Sequence, residues 1–240
     1  MSAALSFLLA MILNPRVQAK AQAELDAVVG KDRLPLIGDK PDLPYIRSIV
    51  AEVLRWAPPL PLGLLWILSP KITLFKPFYN SGLPHSLTKD DVYEGYELPK
   101  GTTIVPNVWS VGSNYLINSQ NWYVVRYMLH DPKVYSNPMD FNPDRFNGLD
   151  SEMKKVTELT FGFGRRFCPG THFGESTLFS VVSTTLATCD VLPGLDKDGN
   201  EALPKCVYTS GTIVYVHFLH RYPILTSLFF FHSGFLSLSH

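Results

Sequence analysis

Phe161-Gly162-Phe163-Gly164-Arg165-Arg166-Phe167-Cys168-Pro169-Gly170 places one cysteine in a loop punctuated by glycine and carrying adjacent arginines. Glycines let backbone amides come close to a bound group, and amides or a guanidinium near a sulfur favour its charged form. Downstream, Phe173, Leu178, Phe179, Val182 and Leu186 recur at roughly helical spacing. This predicts a helix from Thr171 to Thr188 whose positive dipole end lies beside Cys168. Arg166 adds positive charge. The stretch reads as a thiolate metal ligand ahead of a helix; a lone cysteine would otherwise be read as a buried thiol without a ligand.

Together, Phe161, Gly162, Gly164, Arg166, Cys168 and Gly170 resemble the haem-binding signature of the cytochromes P450. The resemblance implies a mainly α fold with a small β-sheet (α+β), here incomplete. It also implies haem (iron protoporphyrin IX) as cofactor, with Cys168 as the proximal ligand whose electron donation favours O–O cleavage. Arg166 would pair with a haem propionate and Phe161 would pack near the ligand. Gly162 belongs to the same cofactor-binding set, and Gly170 would permit close approach of the following helix.

Toward the N-terminus, Ile46, Ile49, Val50, Val53 and Leu54 form an apolar stripe of helical period that Pro58-Pro59 stops. Glu52 and Arg55 stand three apart, so they share a face and can pair. On a surface such a pair contributes little. By resemblance they are the family's Glu-x-x-Arg element, joined by an arginine from Pro143-Asp144-Arg145-Phe146. The implied triad is Glu52, Arg55 and Arg145, a structural lock on the meander that leads to the Cys loop.

Between these elements, Asp90 to Gly101 reads as strand, turn, strand, with Thr102 to Asn107 as a returning strand, which resembles the small P450 sheet. His85 is either a second propionate partner, as an Arg or His at this place is in the family, or a solvated loop histidine. His130 to Pro138 and Phe141 to Phe146 fit a Pro-rich meander.

Composition narrows the class without deciding it. With 240 residues, 46% of them hydrophobic, and 21 acidic against 21 basic side chains, the chain can bury a core of one domain or somewhat more. No basic excess suggests nucleic acid as a partner. Cys168, Cys189 and Cys206 lack short paired spacing, which argues against a disulfide framework or a structural zinc site.

At the front, Met1 to Leu13 is apolar and helix-prone, Asn14-Pro15 fits an N-cap and N1 proline, and a helix from Pro15 to Val29 is closed by Gly30. The apolar run is too short to span a bilayer and lacks the basic start of a signal peptide. By resemblance the first helix is the second half of the long helix across the distal haem face. Its first half, with the acid-alcohol pair that delivers protons, is expected before Met1, as are a membrane anchor and the substrate-recognition loops. No catalytic residue is therefore expected in this chain.

Residues 64–82 and 111–126 interrupt stretches that run together in the family, and unspliced introns are the expected cause. The expected organisation is thus a P450 portion over 1–215, interrupted at these two places, and an unmatched apolar tail over 216–240. His217, His220 and Arg221 shorten the tail's apolar run, so read-through of another intron is preferred to a tail anchor. The implied activity is a fungal-type haem-thiolate monooxygenase acting on a small apolar substrate. Its electrons would come from an NADPH-dependent flavoprotein reductase at the endoplasmic reticulum membrane. The alternatives are an inactive fragment and a haem-binding module without turnover.

Overall fold

A computed structural model describes residues 2–59, 85–104, 129–146, 148–162, 164–196, 198–204 and 229–231. Among them the helices are α1 (Ser2–Leu13), α2 (Pro15–Val28), α3 (Pro44–Trp56), α4 (Asp150–Phe161) and α5 (Thr171–Thr188). The strands are β1 (His85–Ser86), β2 (Asp91–Tyr93), β3 (Tyr96–Leu98), β4 (Thr103–Ile104), β5 (Cys189–Val191), β6 (Gly194–Leu195), β7 (Glu201–Ala202) and β8 (Phe229–Phe231). The fold is mainly helical with small antiparallel ladders. It divides into two compact units: the described residues of 2–59, 139–204 and 229–231 form one, and those of 85–104 and 129–138 the other.

In the first unit α3 is the hub, packing against α1, α2, α4 and α5. Its predicted stripe faces inward, with Ile46, Ile49 and Val53 fully buried and Val50 and Leu54 nearly so. α1 is apolar over most of its surface and is buried accordingly, with Phe7, Leu9, Ala10 and Met11 all inaccessible. Pro15 opens α2, but Asn14 makes no side-chain cap on it. Its Nδ2 instead donates to the Ala10 carbonyl at 2.9 Å, serving the carbonyl end of α1. Gly30, at φ 78°, ends α2 in the left-handed region, its N–H returning to the Leu25 carbonyl at 3.2 Å.

The start of α3 is capped from another helix. Leu43 precedes it and offers no side-chain acceptor, so Glu24 of α2 takes the Tyr45 and Ile46 N–H groups at 2.8 and 2.9 Å. Lys20, one turn before Glu24, lies 4.2 Å from the Tyr45 ring centroid. Burial, with Asp144 and Glu24 nearby, pushes the Tyr45 phenol up to about 12.

α5 has its predicted span and buries Leu178, Phe179, Val182 and Leu186. Phe173, expected on the same stripe, is 79% exposed. Helical geometry explains this: nine residues from Phe173 to Val182 amount to about 180° of rotation, so the two lie on opposite sides. After α5 the chain extends into β5, which pairs antiparallel with β8, Cys189 opposite Phe231. Buried Gln18 of α2 acts as a strand partner for Val191, accepting its N–H at 2.9 Å and donating to its carbonyl at 3.4 Å. Of the tail over 216–240, only β8 lies among the described residues.

In the second unit, Glu94 and Gly95 both take positive φ, 49° and 85°, as a tight hairpin between β2 and β3 requires. The returning strand β4 does not join this hairpin. It pairs with β1, Ser86 opposite Thr103, because the turn at Gly101 sends its N–H to the Leu87 carbonyl at 2.9 Å. Residues 105–107 of that expected strand lie outside the described set. No helix among the described residues is long and apolar enough to cross a membrane.

Candidate functional site

The cysteine loop lies between α4 and α5. α4 stops at Phe161 because Gly162 adopts φ 89° and ψ 173°, which only glycine takes without strain. Gly164, at φ 65°, opens a short 3-10 turn over Gly164–Arg166, closed by the Phe167 N–H on the Gly164 carbonyl at 3.3 Å. The Cys168 N–H then reaches back to the Phe161 carbonyl at 2.9 Å. On the far side, the Thr171 hydroxyl and N–H hold the Cys168 carbonyl at 2.8 and 3.3 Å. These amides go to carbonyls, so the backbone of Cys168 is fixed from both directions while its thiol stays free and half-exposed. α5 begins three residues later, which places its positive end beside the loop.

Two glycines lie close to the sulfur and the neighbouring ring. A Cβ on Gly170 would stand 3.7 Å from the Cys168 Sγ, and one on Gly174 would stand 3.3 Å from the half-buried Phe161 ring. An open cleft of about 890 Å³ runs beside the loop, with Lys40, Leu54, Thr157, Phe167, His172 and Glu175 among its walls. No local sequence pattern marks it, since its walls come from two segments about a hundred residues apart.

In the same unit the structure brings Glu52, Arg55 and Arg145 together. Arg55 donates Nε to Glu52 Oε2 at 2.7 Å and Nη2 to Oε1 at 2.8 Å, while Arg145 Nε reaches Oε1 at 3.0 Å. The Asn142 N–H adds a further bond to Oε1 at 2.9 Å, and both guanidiniums donate to the Asp140 carbonyl. The Glu52 and Arg55 side chains are inaccessible and Arg145 is 7% exposed. Next to this cluster, Trp56 Nε1 donates to the Met139 carbonyl at 2.9 Å, and its ring meets Phe141 edge-on at 5.6 Å. The segment from Met139 to Phe146 is thereby pinned to α3.

The family model described as Cytochrome P450 matches residues 1–69 and 122–213, which is more than half of the chain. The chain belongs to the cytochrome P450 family. It is 49% identical over 214 residues to cytochrome P450 monooxygenase 105 of Postia placenta, covering 89% of this chain and 34% of that protein. Cytochrome P450 monooxygenase claT of Ampulloclitocybe clavipes is 39% identical, over 86% of this chain and 35% of its own length. The chain thus spans about a third of these curated relatives. Among solved structures, a zebra fish cytochrome P450 with abiraterone aligns at TM-score 0.66 and 27% identity, covering 90% of this chain and 42% of that one.

For a P450, the donor chemistry of the loop suits the cofactor the family implies. Among the described residues no group of three or more His, Cys, Asp or Glu side chains could hold a bare metal ion. A single soft sulfur donor would suit an iron whose remaining ligands come largely from a macrocycle.

Other expected participants are only partly described. Arg166 has its backbone in the 3-10 turn and His85 has its backbone in β1, but the side chains of both lie outside the described set, as does Phe163. Residues 64–82 and 111–126 also lie outside it, and the family match leaves 70–121 unmatched.

Proposed function

We propose that Cys168 would hold a haem iron through its thiolate and that the protein to which this chain contributes is a monooxygenase acting on a small apolar molecule. When bound, the haem would supply dioxygen activation, one oxygen atom going to substrate and the other to water, with electrons from an NADPH-dependent flavoprotein reductase. The chain's own residues hold and orient. Cys168 is presented by its two backbone anchors at Phe161 and Thr171. Arg166 and His85 would pair with the propionates, Phe161 would pack beside the ligand, and Gly162, Gly164 and Gly170 would let backbone and helix approach it. The cluster of Glu52, Arg55 and Arg145 would lock the meander ahead of the loop. Association with the endoplasmic reticulum membrane would come through a segment other than the described helices. On this reading the P450 portion runs over 1–215, interrupted near 64–82 and 111–126, and 216–240 is an unmatched apolar tail.

The observation that carries this reading is a lone, half-exposed cysteine fixed through its backbone at a helix N-terminus. The test is a reduced carbon monoxide difference spectrum of the chain loaded with haemin, compared with Cys168→Ser. A Soret band at the thiolate position that the variant lacks is expected. A band common to both, or absent from both, overturns it.

A second reading follows from the chain's spanning about a third of its relatives. By itself it would be a haem-binding module without turnover, or an inert fragment. Haem incorporation with no substrate oxidation in the presence of a reductase would favour the module. No incorporation would favour the fragment.

A further inference from the structure

α4 is thinly attached to the unit it belongs to. Val156 is its buried residue, and its backbone packs mainly on α3. Yet its last residue is one of the two anchors of Cys168, through the Phe161 carbonyl. Whatever fixes the end of α4 against α5 therefore fixes the conformation in which the thiol is presented.

One helical turn before Phe161, on the same face, stands Thr157. Its hydroxyl donates to Glu175 Oε1 of α5 at 2.6 Å, a short bond to a carboxylate, while Glu175 Oε2 faces Lys40 Nζ at 3.9 Å. A turn further on, the Phe161 ring lies against Gly174, immediately before Glu175. α4 and α5 are thus tied at two successive turns, and the loop between them is hinged at Gly162 and Gly164, both at positive φ. Glycine hinges supply no stiffness of their own, so these ties add to the packing of both helices on α3 in setting the separation of the two helix ends.

We infer that Thr157 and Glu175 are a positioning pair that sets the separation between the end of α4 and the start of α5, and so holds Cys168 ready as a ligand. The functional meaning of the pair rests on the haem reading above; the clamp itself is a property of the chain. Lys40 fixes the second carboxylate oxygen from the 3-10 turn over Ile37–Asp42.

The test is amide hydrogen exchange on the full chain without haem, followed by the carbon monoxide difference spectrum after haemin is added. Thr157→Val removes the donor at nearly constant shape, and Thr157→Ser restores it. Exchange at the Phe167 and Cys168 amides is expected to rise about tenfold in T157V, the order of one hydrogen bond to a charged acceptor. Val50 to Leu54 of α3 stay unchanged, and T157S returns the loop to parental rates. In the loaded chain, T157V moves part of the Soret band from the thiolate to the thiol position. Unchanged exchange at Cys168, or an equal rise across α3, overturns the inference. Should T157V fail to fold, Glu175→Gln reports the same exchange, with a smaller rise expected because it still offers an acceptor. Exchange decides the clamp and the parent's band decides the ligand, so either reading can fail alone.

Discussion

The cluster around Glu52 and the loop around Cys168 are held in opposite ways. Glu52 accepts four hydrogen bonds, two from Arg55, one from Arg145 and one from the Asn142 N–H, in a site closed to solvent. Cys168 is gripped only through its backbone, at a half-exposed place with Gly170 close to the thiol. Fully satisfied buried charge makes one arrangement far better than its neighbours, because every partner removed strands the others. A ligand loop needs the reverse, an open side with a fixed backbone. Met139 to Phe146 and then α4 connect the two regions, so the closed cluster and the open loop are joined by one continuous segment.

The largest expected effect tests the closed half of this contrast. Glu52→Gln removes the carboxylate charge from between two buried guanidiniums, and stability should fall by about 3 to 5 kcal/mol. Cys168→Ser, at a half-exposed thiol with no side-chain bond in the fold, should stay within about 1 kcal/mol of the parent. Urea unfolding followed by far-UV circular dichroism compares them. Similar costs for the two substitutions would break the contrast.

An intermediate effect is expected at the entry to α3, where the scaffold begins. Glu24 substitutes for a missing local cap by binding the Tyr45 and Ile46 N–H groups. Glu24→Ala should cost about 1 to 2 kcal/mol, the range of a lost N-terminal cap with its favourable dipole interaction. Glu24→Gln should recover part of it, since the amide oxygen still accepts. If Glu24→Ala proves neutral in the same urea experiment, α3 is held by its apolar stripe alone.

Those two ends of the contrast were not equally legible in the sequence. The Cys loop and the Glu52–Arg55 spacing depend on residue types at short fixed intervals, and the span of α5 follows from its apolar recurrence. Phe173 departs from the expected stripe because five apolar residues at roughly helical intervals need not share a face. α4 carries no apolar stripe, because Val156 is its single buried side chain. Its available signals were Asp150 and Glu152 in the first turn and the Lys155–Glu152 and Lys154–Glu158 pairs. Gln18 and Glu24 left no local signal at all, since the partners they serve lie 173 and 21 residues away. The Thr157–Glu175 tie, between a helix that was missed and one that was found, was hidden for the same reason.

The smallest effect lies at the edge of the cleft, where the 3-10 turn over Ile37–Asp42 carries Lys40 toward Glu175. Asp39 holds that turn from outside, accepting two bonds from Arg33 at 2.7 and 2.8 Å and the Leu36 N–H at 2.8 Å. The Arg33 hydrogen bonds, with the Leu36 N–H second, lower its carboxyl from 3.8 to about 2. A carboxyl depressed in the fold stabilises it where the group is ionised in both states, above 3.8, and that contribution is lost as pH falls toward 2. The stability difference between the parent and Asp39→Asn should therefore be flat above that window and vanish through it. It should also shrink with added salt, because the pair is solvent-exposed. A difference that persists at the acid end would mean that Asp39 acts through its shape, and the turn would then belong with the rigid scaffold instead of with the open edge of the site.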